Sequence, residues 1–301
     1  MHLLVAGTIA IDDIKTPSST RTGLMGGSAA YTAMASSFFA PTRIVGIVGK
    51  DFPEEHINTL KQRAICTDGI EHSEGESFYW SGEYHNNMDE RTTHEVAVNV
   101  LEAYTPKLPA SYQSSDIVVL ANMSPKNQID VREQCSAARF VVADTMDIWI
   151  QTEGKALDEL LTRIDMLVIN ESEAKLFTQT GNLIQAGRRL LHSGPKYAII
   201  KTGEHGALLF GPDQDFFRVG AYPLESVEDP TGAGDTFAGG MMGYLASEDR
   251  CDLEALRASL AWGTVTASFT LEAFGLEGQR AIDRDAINAR MDDFKQIVGL
   301  S

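Results

Sequence analysis

With 301 residues, 43% of them hydrophobic, the chain can build one large α/β core or two smaller ones, and no apolar run approaches the roughly 20 residues that span a bilayer. Lys and Arg total 25 against 42 Asp and Glu, a formal net charge of −17 without a basic cluster, which excludes a phosphate-tracking nucleic-acid binder but not a nucleotide held by amides and a metal. Three distant cysteines (Cys66, Cys135 and Cys251) and seven scattered histidines exclude a disulfide framework and a protein-built His metal site, and predict a reducing, cytoplasmic setting.

The opening stretch 3–11 is apolar but short, lacks a basic flank and ends at Asp12-Asp13, so it reads as a first strand rather than a signal peptide. Further apolar runs at 42–48, 117–120, 140–143, 166–169, 197–200 and 207–210 join 3–6 as predicted strands. Several are unbroken Val/Ile/Leu runs, as parallel strands covered on both faces require. Helical patterns fall between them at 28–39, 53–63, 128–138, 153–161, 172–178 and 183–191. From Asp235 the chain turns helical, with 253–269 and 284–297 the clearest later segments. This alternation predicts a doubly wound α/β fold with a mostly parallel sheet flanked by helices.

Residues 76–101 break the rhythm. Two alternating segments flank a turn at Asn86-Asn87-Met88-Asp89, which predicts a hairpin inserted in the α/β order. Residues 12–24 supply further strands beside it. Such a small antiparallel sheet is either a lid over a ligand or a plain surface hairpin. Phe78, Trp80 and Tyr84 share one parity on its first strand, and His94, Val96, Val98 and Val100 on its second. Those partly apolar faces predict either a lid-to-lid homodimer through 76–101 or a monomer that folds the lid onto its own core.

The most informative string is Asp229-Pro230-Thr231-Gly232-Ala233-Gly234-Asp235. Small residues entering a helix let backbone N–H groups converge on an anion. A carboxylate beside them can take a proton from an attacking hydroxyl, the pairing that phosphoryl transfer needs. The plain alternative is a glycine turn with Asp235 as a helix-start acid. Phe237 stands where a dinucleotide fingerprint would have its third glycine, which counts against a dehydrogenase.

The string closely resembles the C-terminal signature of the ribokinase/PfkB carbohydrate kinases. Four other segments match that family in order. They are Gly7-Thr8-Ile9-Ala10-Ile11-Asp12, Gly26-Gly27 with its following helix, Asn170-Glu171-Ser172-Glu173, and Lys201-Thr202-Gly203-Glu204-His205-Gly206. The resemblance implies one ribokinase-like domain over 1–301, a lid from about 12–24 and 76–101, ATP as donor, Mg²⁺, and room for a monovalent cation. It implies Asp235 as base, with the amides of Gly232, Ala233 and Gly234 as anion hole. Asp12, Gly26 and Gly27 would meet the acceptor. Asn170 and Glu173 would hold Mg²⁺ through water, and Lys201, Thr202, Gly203, Gly206 and Thr231 would border the nucleotide.

Asn170 and Glu173 are equally a capping box, and the same helix start can serve both ends. Tyr31 stands where the family usually has Asn. Arg91, after the lid turn, is either a ligand for an acidic acceptor or a solvated surface residue. The expected reaction is phosphorylation of a primary hydroxyl on a sugar-like molecule. A nucleoside kinase and a catalytically silent sugar-binding regulator are the alternatives on the same fold.

Overall fold

A computed structural model of the chain describes residues 1–88 and 90–299. Asp89 of the expected lid turn lies outside the described residues. The first part of the chain runs β1 (Leu3–Ala6), β2 (Ala10–Lys15), β3 (Thr20–Gly26), α1 (Ser28–Ser36), β4 (Thr42–Val48), α2 (Glu54–Gln62) and β5 (Cys66–His72). The hairpin β6 (Phe78–Tyr84) and β7 (Arg91–Ala97) follows. Next come β8 (Ile117–Leu120), α3 (Pro125–Gln134), β9 (Phe140–Asp144), α4 (Asp147–Thr152), α5 (Gly154–Leu161), β10 (Met166–Asn170), α6 (Glu171–Thr178) and α7 (Leu183–His192). Strands β11 (Tyr197–Lys201), β12 (Ala207–Phe210) and β13 (Phe216–Val219) precede the closing helices α8 (Ala233–Glu248), α9 (Leu253–Leu271), α10 (Glu277–Arg280) and α11 (Arg284–Ile297).

Nine strands form one sheet in the order β13-β12-β11-β10-β9-β8-β1-β4-β5, parallel except where β12 pairs. Strand β1 sits between β8 and β4, so the chain leaves it in opposite directions, and the crevice beyond its carboxyl end is where such sheets hold ligands. Alternate residues of β1 enter two separate cores. Leu3 and Val5 pack with α1, α8, α9 and α11, while Leu4 and Ala6 pack with α3, α5 and α7. That double burial explains the unbroken apolar runs.

Two core-sheet strands had no apolar signal. Both are edges: β5 is mostly exposed and β13 alternates, so neither needs a continuous run. Helix α3 begins at Pro125 behind the cap Ser124, whose hydroxyl accepts from Asn127 N, earlier than the hydrophobic period indicated. Helix α8 likewise begins at Ala233 rather than Asp235. Among the described residues no helix is long and apolar enough to cross a membrane.

The second sheet has the order β3-β2-β6-β7, and Tyr84 of β6 reaches Thr231 in the loop before α8. Its outer pairings are antiparallel, whereas the central β2–β6 pair is parallel. Asp12 and Ile14 point inward, and Asp13 and Lys15 point away. Phe78, Trp80 and Tyr84 share a face as their spacing predicts, but the parity expected for the second strand stops early. Val98 already has helical φ/ψ before a short turn at Asn99–Leu101, and Val100 packs back toward Gly75. Only His94 and Val96 of that set lie on the strand.

Candidate active site

Three parallel neighbours, β9, β10 and β11, each end in a polar residue at the crevice: Asp144, Asn170 and Lys201. Asn170 is in register with Lys201, and Asp144 with Val168, two residues before Asn170. All three side chains therefore leave the same face of the sheet. Lys201 Nζ lies 3.4 Å from Asp144 Oδ2, with both side chains largely buried. The sequence reading did not single out Asp144. Its one local signal is an acid closing the apolar run of β9.

Across the crevice stands the N-terminus of α8. Gly232 caps it at φ 74°, and a Cβ there would strike the ring of Tyr31, so both conformation and space require glycine. The Ala233 amide donates to Pro230 O at 3.3 Å. The amides of Gly232 and Gly234 have no acceptor among the described residues. Asp229, fully buried, accepts from Thr231 N and Gly275 N, each at 2.9 Å, and ties this loop to the segment after α9.

Asp235 follows in the first turn of α8. Burial pushes its carboxyl up to about 7; Asp144 adds to the rise, and the Lys201 ammonium opposes it. Burial likewise pushes Glu173 up to about 7, with Asp144 again adding and Lys201 opposing. For Lys201 itself, burial works against the charged form, but Asp144, Glu173 and Asp235 outweigh it and hold its pKa above the usual lysine value. Several acids thus share one ammonium group.

The other end of the crevice is built from β2 and the Gly26-Gly27 corner. Asp12 is 4% exposed, and burial first, then Asp229, Asp235 and Asp13, push its carboxyl up to about 8. Its carboxylate lies against Gly26, where any Cβ would overlap it. Gly27 has φ 90° and abuts the Thr8 carbonyl, which accepts from Ala29 N at 2.9 Å and so joins α1 to the turn after β1. Asp13 faces away, accepting from Gly23 N at 2.8 Å and Tyr79 Oη at 2.9 Å within the lid.

Trp80 is the cross-strand partner of Asp12, so both occupy the lid's inner face. Its indole lies against Gly82, where a Cβ would meet the ring. Arg91 stands over the same indole, 5.9 Å from its centroid. Tyr84 packs with Ile14 and Phe274, and its hydroxyl accepts from Thr231 Oγ1 at 3.2 Å, latching lid to loop. Tyr31 is 1% exposed, and its hydroxyl has no partner among the described residues.

The family model for pfkB family carbohydrate kinases matches residues 10–280, which include Asp12, Asp144, Asn170, Lys201 and the start of α8. The chain belongs to that family. As a pfkB kinase it is an ATP-dependent sugar or nucleoside kinase. It is 28% identical over 251 residues to a cytidine kinase of Thermococcus kodakarensis, covering 81% of this chain and 88% of that protein. Its fold is that of the Burkholderia thailandensis nucleoside kinase solved with inosine, with TM-score 0.78, 18% identity, and coverage of 99% of this chain and 98% of the other. A ribokinase II from E. coli, solved with ATP and Mg²⁺, aligns with TM-score 0.78 and 17% identity over 97% and 99% of the two chains.

For this pfkB chain the fit to a divalent cation can be tested on donors. Asn170 Oδ1 accepts from Glu173 N at 2.8 Å, and Glu173 Oε2 accepts from Asn170 N at 3.0 Å, a complete capping box. Glu173 Oε1 remains free for a water ligand. Among the described residues no three acid, His or Cys side chains gather into a metal cage. The donor set therefore fits a hydrated Mg²⁺ held mainly by nucleotide phosphates, not a dry protein site. The expected nucleotide turn closes between β11 and β12, where Thr202 N and Oγ1 both donate to Gly206 O, at 2.8 and 2.9 Å. Positive φ at Gly203 and Gly206 makes that closure possible.

Proposed function

We propose that this kinase transfers the γ-phosphoryl group of ATP to a primary hydroxyl of a nucleoside. The acceptor oxygen bonds to the γ-phosphorus as the bond to the β–γ bridging oxygen breaks. ADP departs with that electron pair, and the acceptor proton passes to Asp235. The free amides of Gly232 and Gly234, at the positive end of α8, face developing phosphoryl charge, while the Ala233 amide is engaged with Pro230. Mg²⁺, when bound, would neutralise phosphate charge; Asn170 and Glu173 are placed to order its waters.

The observation that carries the acceptor assignment is the Asp12–Trp80 pair on the lid's inner face. A buried carboxyl short of partners suits vicinal ribose hydroxyls, whose donors favour its charged form, and a flat indole beside it suits the face of a base. The similarity to a cytidine kinase across most of both chains supports this choice over a free sugar. The intact Asp235 and its glycine loop weigh against a silent regulator. A two-fold homodimer through residues 76–101 belongs to the same proposal, supported by exposed Val96 and Val98.

The test is ATP turnover across cytidine, uridine, inosine, adenosine and ribose, for wild type and Trp80→Ala. Base–aromatic stacking contributes about 1–3 kcal/mol, so the variant should raise nucleoside KM roughly tenfold and leave ribose unaffected. Preference for ribose, with Trp80→Ala silent, would replace the nucleoside with a sugar.

A further inference from the structure

Lys201 reaches further into the site than its strand-end position indicates. A Cβ on Gly234 would lie 2.9 Å from Lys201 Nζ and 3.5 Å from its Cε, so the lysine stem runs along the N-terminus of α8. Gly234 also carries one of the free amides of the glycine loop. The ammonium is held there by Asp144 at 3.4 Å, from the end of β9 two strands away. Lysine has no acceptor and three donors, so a single ion pair leaves donors to spare.

We propose that Lys201 is a catalytic residue whose ammonium contacts the transferring phosphoryl group beside the Gly234 amide, and that Asp144 is the positioning residue that holds it there. Charge accumulates on the phosphoryl oxygens as the bridging bond lengthens. A cation fixed in a water-poor crevice stabilises that charge more strongly than the ground state. The surroundings are demanding. Asp144, Glu173 and Asp235 all bear on this cation, and the chain carries a net charge of −17. An anionic nucleotide approaching such a cleft needs fixed positive charge at the reacting group, and Lys201 supplies it from the chain itself. A side chain at Gly234 would push the ammonium out of this position.

This inference rests on the phosphoryl-transfer site proposed above, and the experiment separates the two. Steady-state kinetics on K201M should show kcat reduced about 100- to 1,000-fold with acceptor KM nearly unchanged. D144N, which keeps the side-chain shape, should show a smaller kcat loss of about tenfold, and K201R should recover part of the K201M loss. Binding measured by calorimetry supplies a readout independent of turnover. AMP should bind K201M as it binds wild type, whereas ADP with aluminium fluoride and acceptor, a mimic of the transferring group, should bind at least tenfold more weakly. K201Q, which keeps a donor toward Asp144 without the charge, carries the same comparison if K201M is unstable. Wild-type turnover in K201M or K201Q while D235N is inactive would overturn the role of Lys201 alone. Equal loss of AMP and of the ADP–fluoride complex would also overturn it, by placing the lysine away from the transferring group. Wild-type turnover in all of them, D235N included, would overturn the site itself.

Discussion

The two ends of the crevice use the same residue type under different electrostatic conditions. Asp235 is buried near Asp144 but shares its surroundings with Lys201, and its pKa is raised to about 7. Asp12 is buried among Asp229, Asp235 and Asp13 with no cation acting on it, and its pKa is raised to about 8. Burial raises both carboxyls, but the Lys201 ammonium opposes the rise at Asp235 while only further carboxylates act on Asp12. A general base works best with a pKa near the operating pH. A carboxyl without a partner gains most from a ligand that brings hydroxyl donors, because the ligand relieves its desolvation.

Removing the phosphoryl-end carboxylate should have the larger effect. Asp235→Asn should lower kcat by about 10²–10⁴-fold with nucleotide affinity near wild type, read from steady-state kinetics and calorimetry. The pH profile sharpens the point. A carboxyl with a raised pKa is protonated and unable to accept a proton below that value. Wild-type kcat at saturating acceptor, where Asp12 is engaged, should therefore rise with pH through about 7 and level off above it. A limb near the ordinary carboxylate range would mean that Asp235 is not the group being read.

The acceptor end should respond in KM. Asp12→Ala should raise KM for the nucleoside by roughly 10- to 100-fold, the loss expected for hydrogen bonds to a charged group, with KM for ATP changing little. Its neighbour provides the contrast within one strand. Asp13 supports Gly23 and Tyr79 on the outer side of the lid, so Asp13→Ala should cost lid stability and leave acceptor KM within about threefold. Parallel behaviour of the two variants would remove Asp12 from the acceptor site.

The smallest expected effect lies at the lid's outer edge. Val96 is 51% exposed and Val98 47%, on or just after the edge strand β7. Light scattering should give a dimer for wild type at tens of micromolar and a monomer for Val98→Glu, with turnover altered little. A wild-type monomer, or a variant that remains dimeric, would place the contact elsewhere or abolish it.

What could be read in advance follows from which contacts are local. Asp229 to Asp235 form one continuous segment, and a glycine loop entering a helix carries its own geometry, so this end of the crevice was legible residue by residue. The capping box of Asn170 and Glu173 spans one helical turn and was equally readable. The buried parallel strands announced themselves because both faces must be apolar. Edge strands β5 and β13 face no such demand and left no comparable signal.

Other features depended on pairings that no local pattern encodes. Asp144 meets Lys201 from 57 residues away, because β9, β10 and β11 happen to be neighbours in register. Asp12 shares the lid's inner face with Trp80 only because β2 pairs with β6 in parallel, an arrangement without a connecting hairpin to betray it. The raised pKa values of Asp12 and Asp235 exist only once the lid, the strand ends and α8 close over the same crevice and exclude water. By itself the sequence determined the fold class, the family and the glycine loop that leads into α8, since each is written in contiguous residues. Tertiary structure alone decided which acids share a cation, which stand alone, and which aromatic shares a face with Asp12, because charge interaction and burial depend on distance in space rather than along the chain.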